Sequence, residues 1–420
     1  MFCLDVLVVG GGGREHAICW SLRKSPRINK LYCAPGNGGI NAVAQCVDIA
    51  ASDIDNMVAF VKKNLIDFVV VAPDDPLALG MVDAFEAVGV RVFGPRKEAA
   101  QLESSKVYAK QIMRKYGIPT ADHIVFTDAD EAKAYIRKHG APLVVKADGL
   151  ALGKGVVVAL DIDAAVEAVD MMILDKKFGE SGNRIIIEEF MTGPEVTILI
   201  FTDGETISAM PSSQDHKRVF SGNAGPNTGG MGAFCPSPYY TDDIADLCMK
   251  TIIEPTIKAM RSEGRPFKGV LYFGLMLTPE GPRVVEYNAR FGDPEAQPIL
   301  SMLNTDLLDI FEAVVDGRLS ELNIDWRVGH ACCVVMASAG YPASYEKGFL
   351  INGLDRVPSD IMVFHAGTAL VDGGFMTNGG RVLGVTATGD TLGDASARAY
   401  EGVACISFEN AHYRTDIGVL

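Results

Sequence analysis

Lys146-Ala147-Asp148-Gly149-Leu150-Ala151-Leu152-Gly153-Lys154-Gly155 is the stretch on which the reading of this chain turns. It lies between two apolar strand-like runs, Leu143-Val144-Val145-Lys146 and Val156-Val157-Val158-Ala159. It is not a Walker A loop, because three residues separate Gly149 from Gly153 and Gly155 follows Lys154 where Ser or Thr is required. It also leads into a strand rather than a helix. A strand, a glycine turn and a second strand form a hairpin lid that can close over a triphosphate, with Lys146 and Lys154 neutralising phosphate charge. A solvated hairpin would carry the same two lysines, so the reading depends on what accompanies it.

Two other stretches do. Arg283-Val284-Val285-Glu286-Tyr287-Asn288-Ala289-Arg290 alternates as a strand does, so Glu286, Asn288 and Arg290 share a face. A carboxylate and an amide oxygen two residues apart are hard ligands suited to a phosphate-bound Mg²⁺, and Arg290 is placed to pair with a substrate carboxylate. A solvated polar face would alternate in the same way, but the sequel Phe291-Gly292-Asp293-Pro294-Glu295 is too dense for an ordinary surface turn. Near the N-terminus, Gly10-Gly11-Gly12-Gly13-Arg14-Glu15-His16 follows a strand and opens a helix, which offers backbone amides to phosphate. The dinucleotide pattern Gly-x-Gly-x-x-Gly fails here: counting from Gly10 puts Glu15 at the third glycine, and counting from Gly11 puts His16 there. A ligand-free strand-to-helix turn fits the glycines too, but four of them followed by Arg favour a phosphate or phosphosugar.

Around these stretches, the first hundred residues alternate buried strands with helical segments, including Phe68-Val69-Val70-Val71-Ala72, a helix from Leu77 to Val88, and Val90-Arg91-Val92-Phe93. That pattern predicts a parallel sheet with helices on both faces. A helix over Ser104 to Tyr116 and a second over Ala164 to Leu174 belong to the middle of the chain, with a polar, glycine-rich segment at 212–232. The last 90 or so residues open on the strand Ala331 to Ala337 and read onward as short strands and turns. At 420 residues, two to four domains are expected. The balance of 38 Lys and Arg against 53 Asp and Glu, a net charge of −15, argues against nucleic acid or an anionic membrane as partner. No apolar run approaches the ~18 residues of a spanning helix, and the N-terminus lacks the basic region of a signal peptide. Nine cysteines without a Cys-x-x-Cys pair read as reduced thiols, so a cytoplasmic location is expected.

Together these stretches resemble the ATP-grasp superfamily, and in more detail its glycinamide ribonucleotide synthetase family. The resemblance runs nearly end to end. It includes Ser212-Ser213-Gln214-Asp215-His216-Lys217-Arg218, Gly225-Pro226-Asn227-Thr228-Gly229-Gly230-Met231-Gly232, Phe364-His365-Ala366-Gly367-Thr368, Thr377-Asn378-Gly379-Gly380-Arg381 and Tyr413-Arg414-Thr415-Asp416-Ile417-Gly418. It implies a multidomain chain of mixed α/β and α+β class: a phosphosugar-binding α/β domain over 1–103, a two-lobed ATP-grasp domain over 104–330 with its lid lobe at about 121–194, and a small β-rich domain over 331–420. The implied reaction is ATP-dependent ligation of glycine to 5-phosphoribosylamine through glycyl phosphate, by a monomer using Mg²⁺, or Mn²⁺ in its place. By the same resemblance, ATP meets Lys106, Lys146, Gly153, Lys154 and Gly155, with adenine at the hinge Glu188-Glu189-Phe190 and ribose on Glu195. The metal falls to Glu286 and Asn288, phosphoribosylamine to Gly12, Gly13, Arg14, Asn37, Gly38 and Asp74, and glycine to Arg290, Asp215 and Lys217.

Three departures from the family pattern stand out. Ala72-Pro73-Asp74 replaces the usual Gly-Pro-Glu, so Asp74 must reach further or Asp75 takes over. The strand Tyr272-Phe273-Gly274-Leu275-Met276 lacks the second metal-binding acid of many relatives, and Pro194 stands where another acid is common. The competing readings are an ATP-grasp ligase for a different acid, a dinucleotide oxidoreductase, disfavoured by the missing third glycine, and a silent nucleotide-binding regulator. The last has no use for Lys146, Lys154, Glu286 and Asn288 as a set. Because glycine lowers the cost of backbone motion, residues 148–155 are expected to exchange amide hydrogens freely without nucleotide and to be protected by an ATP analogue. Equal protection in both states would exclude a moving lid.

Overall fold

A computed structural model describes residues 3–150 and 155–419. The N-terminal sheet has five parallel strands in the spatial order Gln45–Cys46, Ile28–Pro35, Leu4–Gly10, Phe68–Val71, Arg91–Phe93. The central strand is apolar from Val6 to Val9, where both its faces are covered. Val6 and Val8 pack with Ile18 and Leu22, while Leu7 and Val9 pack with Met57 and Val61. Parallel strands bring the turns after Gly10 and Val71 to the same sheet edge, the place where open α/β sheets bind ligands. The helix expected over 77–88 is two short ones, Asp74–Leu79 and Met81–Ala87, broken at Gly80 by its left-handed φ of +96°.

Two antiparallel sheets form the middle of the chain. One, here the lid sheet, runs in the order His123–Phe126, Ile185–Glu189, Leu143–Ala147, Val156–Ala159. The other, the floor sheet, runs Ile207–Ala209, Glu195–Thr202, Gly269–Thr278, Gly281–Asn288. Helices Ala129–His139 and Ile162–Val169 cover the outer lid face, burying Leu143, Val145, Ile185 and Ile187 against Ala132, Ile136, Ala165 and Val169. The chain passes from floor to lid at residues 119–122 and returns at 189–195. At the first crossing Val284 N donates to Pro119 O at 2.8 Å and Glu189 N to Asp122 O at 3.0 Å.

The C-terminal sheet recruits two strands from the polar segment. Its order is Gln214–Asp215, Gly232–Cys235, His330–Ser338, Arg381–Gly389, Met362–His365, with Ala411–His412 pairing on His330–Ser338. The closing part of the chain also carries a 14-residue helix, Leu392–Cys405, where the sequence reads as strands and turns. Its packing face is built from Ala395, Ala399, Gly402 and Val403, small residues that leave little apolar periodicity to see. A Cβ on Gly402 would lie 2.8 Å from Val385, so the close helix–sheet approach itself requires glycine there. Among the described residues no helix is long and apolar enough to cross a membrane.

The helix Leu307–Asp316 wedges the N-terminal sheet against the floor. Phe311 is fully buried, its ring 4.0 Å from Phe93 of the first sheet and 6.5 and 6.4 Å from Phe201 and Phe291. At the rim of this wedge Glu312 pairs with Arg27 and Arg91. Phe311→Ala is expected to destabilise the chain by about 3–5 kcal/mol in denaturant unfolding, the cost of an aromatic cavity. A loss below about 1 kcal/mol would mean that the wedge does not hold the two layers together.

Candidate active site

The floor sheet presents Glu195, Thr197, Tyr272, Gly274, Met276, Glu286 and Asn288 on one face, as their cross-strand pairings show. The alternation predicted for Glu286 and Asn288 holds, with one addition. The register slips between Gly274 and Leu275, so Val285 is an extra residue on its strand, a bulge. Its carbonyl accepts a hydrogen bond from Lys146 Nζ at 3.1 Å. A lid lysine thus reaches the floor beside Glu286.

Lys146 Nζ also pairs with Glu188 Oε2 at 2.9 Å, and Lys110 Nζ lies 3.2 Å from Glu188 Oε1. All three side chains are buried. Burial works against the charge on Glu188, but Lys146 and Lys110 overcome it and hold the carboxyl below its usual range. Lys106, four residues before Lys110 on the helix Lys106–Tyr116, donates to Gly149 O at 2.8 Å. Asp148 anchors the loop base by accepting from Ser105 Oγ and Val107 N, both at 3.1 Å. Gly155 O accepts from Ala147 N at 2.8 Å, while Gly153 and Lys154 lie outside the described residues. The inner lid face, in register with Lys146 and Glu188, carries Val125, Val144, Val156 and Val158, all left partly uncovered. An apolar wall flanked by buried lysines is the environment a purine nucleotide needs. Glu189 Oε1 accepts from Arg283 at 2.7 Å and from Asp122 N at 3.0 Å, and Phe190 is half-buried beside it.

Glu286 is the focus of the charges. Burial disfavours its ionised form, yet Lys217, Lys146, Lys106 and Arg290 hold the carboxyl below its usual range. Among the described residues no hydrogen bond or ion pair reaches that carboxylate, and Asn288 Oδ1 accepts only from Arg290, at 3.3 Å. Nor do the described residues gather three or more carboxylate, His or Cys side chains in one place. One carboxylate and one amide oxygen fit a hard divalent ion that takes its remaining ligands from phosphate and water, the habit of Mg²⁺, and do not fit a closed protein cage.

Beyond Asn288, Arg290 pairs with Glu103 at 2.7 Å and leaves its buried Nε without a partner. Burial pushes Glu103 up to about 7, against the pull of Arg290. Lys217, just after the strand Gln214–Asp215, pairs with Glu195 of the floor at 2.7 Å, which links the residues assigned from the sequence to glycine and to ribose. Asp215 is pushed well above the usual carboxylate range by burial and by Glu295, and Glu295 is raised by burial in turn. Asp215 Oδ1 is buried and has no hydrogen-bond partner among the described residues. Glu295 Oε1 lies 3.4 Å from Thr197 Oγ1 near Tyr272, so an acid absent from the 269–278 strand enters this region from the next loop.

The N-terminal glycine loop abuts this region. Arg14 Nη1 and Arg290 Nη1 both donate to Phe291 O, at 3.0 and 3.3 Å. The helix start is not bare: Gly12 N donates to Glu15 Oε2 at 2.6 Å, and Arg14 N to Asp293 Oδ2 at 3.4 Å. Gly13 is needed because an added Cβ would strike Gln297. Asn37 spends its amide internally, donating to Gly11 O and His365 O at 2.9 and 2.7 Å and accepting from Gly39 N and Ile40 N. Gly38 N donates to Thr368 O at 3.1 Å, so this loop is stitched to the C-terminal domain. Of the two acids after Pro73, Asp74 is the one held down by Arg290 and Arg14 against burial, whereas Asp75 is raised by burial and by Asp74 itself. Arg381 Nη1 donates to Gly229 O and Asp293 O, both at 2.6 Å. The sequence reading missed Lys110, Glu103, Glu295 and Arg381 as site residues. Glu295 and Arg381 stand in stretches that the sequence singles out, and Lys110 left a trace in its i, i+4 spacing from Lys106 on an amphipathic helix.

Two antiparallel sheets with a lysine-bearing lid over a floor that carries Glu286 and Asn288 define an ATP-grasp enzyme. Solved structures agree: the biotin carboxylase domain of Hydrogenobacter thermophilus 2-oxoglutarate carboxylase shares the fold at a TM-score of 0.76 and 14% identity, covering 98% of this chain and 92% of that one. The particular family follows from closer matches. Models of the phosphoribosylglycinamide synthetase N domain, ATP-grasp (A) domain and C domain match residues 4–103, 104–296 and 331–420. The chain is 49% identical over 417 residues to a phosphoribosylamine–glycine ligase of Brucella melitensis, with 99% of this chain and 97% of the relative covered. It is 48% identical over 415 residues to that of Halalkalibacterium halodurans, covering 99% and 96%. The crystal structure of the Thermotoga maritima phosphoribosylamine–glycine ligase superposes with a TM-score of 0.86 at 33% identity, covering 98% of this chain and 100% of that one. This chain belongs to the phosphoribosylglycinamide synthetase family.

Proposed function

We propose that this protein joins glycine to 5-phosphoribosylamine at the expense of ATP, releasing glycinamide ribonucleotide, ADP and phosphate. The observation that carries this reading is contiguity. Lys106, Lys146, Lys217 and Arg290 all bear on Glu286, and Arg290 shares the Phe291 carbonyl with Arg14 of the N-terminal loop. Nucleotide, small acid and phosphosugar then meet along one line.

In this reading the lid valines, Met276 and the hinge Glu188-Glu189-Phe190 bracket adenine, and Glu195 takes the ribose hydroxyls. Lys106 and Lys146, with Lys154 and Gly153-Lys154-Gly155 of the lid, neutralise the phosphates. Glu286 and Asn288 hold Mg²⁺, or Mn²⁺ in its place, which supplies charge neutralisation on the phosphates. Arg290 pairs with the glycine carboxylate, and Asp215 and Lys217 border the rest of glycine. Gly12, Gly13 and Arg14, with Asn37, Gly38 and Asp74, form the phosphoribosylamine side. The helix-start amides there are already taken by Glu15 and Asp293, so these residues serve by close backbone approach rather than as a bare anion site.

The chemistry follows from this placement. A carboxylate resists attack by an amine because oxide would have to leave. A glycine carboxylate oxygen held in line attacks the γ-phosphorus, the bond to the ADP oxygen breaks, and Lys146 stabilises charge on the phosphoryl oxygens. The phosphoribosylamine nitrogen then attacks the acyl carbon and gives up a proton, and phosphate leaves with that carboxylate oxygen. No Ser, Cys or His in this region is placed to form a covalent enzyme intermediate. A cytoplasmic site of action accords with the free cysteines.

The reading is tested by ADP formation, which should require glycine and 5-phosphoribosylamine together. ADP formed at full rate with another amino acid in place of glycine would overturn the substrate assignment. Glu286→Gln keeps the shape of the side chain and is expected to fold normally while losing at least 100-fold in turnover. Wild-type turnover at an unchanged Mg²⁺ requirement would remove Glu286 from the metal site.

A further inference from the structure

Lys110 is buried at the point where the chain crosses between floor and lid, where it makes two hydrogen bonds and one ion pair. Its Nζ donates to Thr120 Oγ1 at 2.7 Å and to Ala121 O at 3.4 Å, and faces Glu188 Oε1 at 3.2 Å. Thr120 passes the connection on, donating to Val284 O at 2.6 Å. On the far side of Glu188, Lys146 reaches the neighbouring carbonyl of Val285. The line Val284–Thr120–Lys110–Glu188–Lys146–Val285 therefore begins and ends on one floor strand and spans the hinge.

The charge count gives this line a purpose. A buried carboxylate with a single ammonium partner holds that ammonium, because separating the pair leaves two uncompensated buried charges. With two ammoniums on Glu188, one positive charge remains for another anion. We propose that Lys110 is a positioning residue of the nucleotide site: it ties Glu188 to the hinge and supplies its second counter-charge, so that Lys146 is aimed at the phosphates and free to neutralise them. This rests on the reading of Lys146 as an ATP ligand given above.

A titration is built into the arrangement. Burial, helped by Lys146 and opposed by Glu188 and Glu189, lowers the Lys110 pKa to about 8. The remaining charged or titratable groups facing it are His123 of the edge lid strand, held below its usual range by burial and by Lys110, and Arg114 of the same helix. A lysine whose folded pKa is depressed loses its proton as pH rises through that value. Nucleotide affinity should therefore fall on the alkaline side of about pH 8.

The test is binding of a non-hydrolysable ATP analogue with Mg²⁺ by titration calorimetry between pH 6.5 and 9.5, in the absence of the other substrates. Wild-type affinity should decline above about pH 8. Lys110→Met should bind at least tenfold more weakly at pH 7 with no further alkaline decline, while the KM for glycine changes less than twofold. Lys110→Arg keeps the charge without titrating in this range, so it should bind within threefold of wild type and lose the alkaline decline. Thr120→Val removes only the hydroxyl link and should leave the pH dependence in place. If Lys110→Met does not fold, Lys110→Arg decides: a decline still centred near pH 8 overturns the proposal, as does wild-type affinity in a folded Lys110→Met. If the wild-type protein does not bind the analogue at all, the ATP reading itself fails, which is a separate outcome.

Discussion

The ammonium of Lys146, held between the Glu188 carboxylate and the bulged carbonyl of Val285, is the contact on which the site depends. It is made by a lid side chain on a floor backbone, so it fixes the gap between the two sheets as well as the position of a charge. The bulge matters because carbonyls in a regular ladder are taken by the neighbouring strand, whereas an extra residue leaves one free to accept. The same extra residue sits directly before Glu286. The step that frees a carbonyl for Lys146 therefore also places Glu286 and Asn288 opposite Gly274 and Tyr272.

Burial sharpens this arrangement. Buried carboxylates move toward neutrality unless cations oppose it, and the site sorts its acids accordingly. Glu188 and Glu286 stay ionised because several lysines surround them, while burial raises both Asp215 and Glu295, and Glu295 raises Asp215 further. Ionised carboxylates and acids raised by burial thus border one site, with Glu286 on the floor and Asp215 on the edge of the C-terminal sheet. The N-terminal and C-terminal domains complete the boundary: Arg14 joins Arg290 at the Phe291 carbonyl, and Arg381 reaches Gly229 and Asp293 from the far side.

Much of this is legible in the sequence where the signal is local. The two-residue period of Glu286, Asn288 and Arg290 predicts a shared face whatever the strand pairs with, and the parallel N-terminal sheet follows from apolar strands alternating with helices. What stays hidden is long-range or subtractive. Nothing in Val284-Val285 announces a bulge, and Lys110 meets Glu188 only through folding. Glu188, assigned by resemblance to an adenine hinge, has its side chain buried between two lysines. The glycine loop announces free amides, but carboxylates at positions 15 and 293 occupy two of them. The strand Gln214–Asp215 reads as part of a polar loop because it earns its place only as the edge of a sheet completed more than a hundred residues later. The helix Leu392–Cys405 escapes notice because it packs through small residues.

The central claim is that this arrangement activates a carboxylate by phosphorylation and lets an amine displace the phosphate. Following oxygen tests it most directly. With glycine labelled by ¹⁸O in its carboxylate and unlabelled ATP, turnover should place one labelled oxygen in each inorganic phosphate and retain the other in the amide product, with ADP unlabelled. Inorganic phosphate free of label, or label appearing in AMP, would contradict the acyl-phosphate route that the geometry of Lys146, Glu286 and Arg290 is built to support.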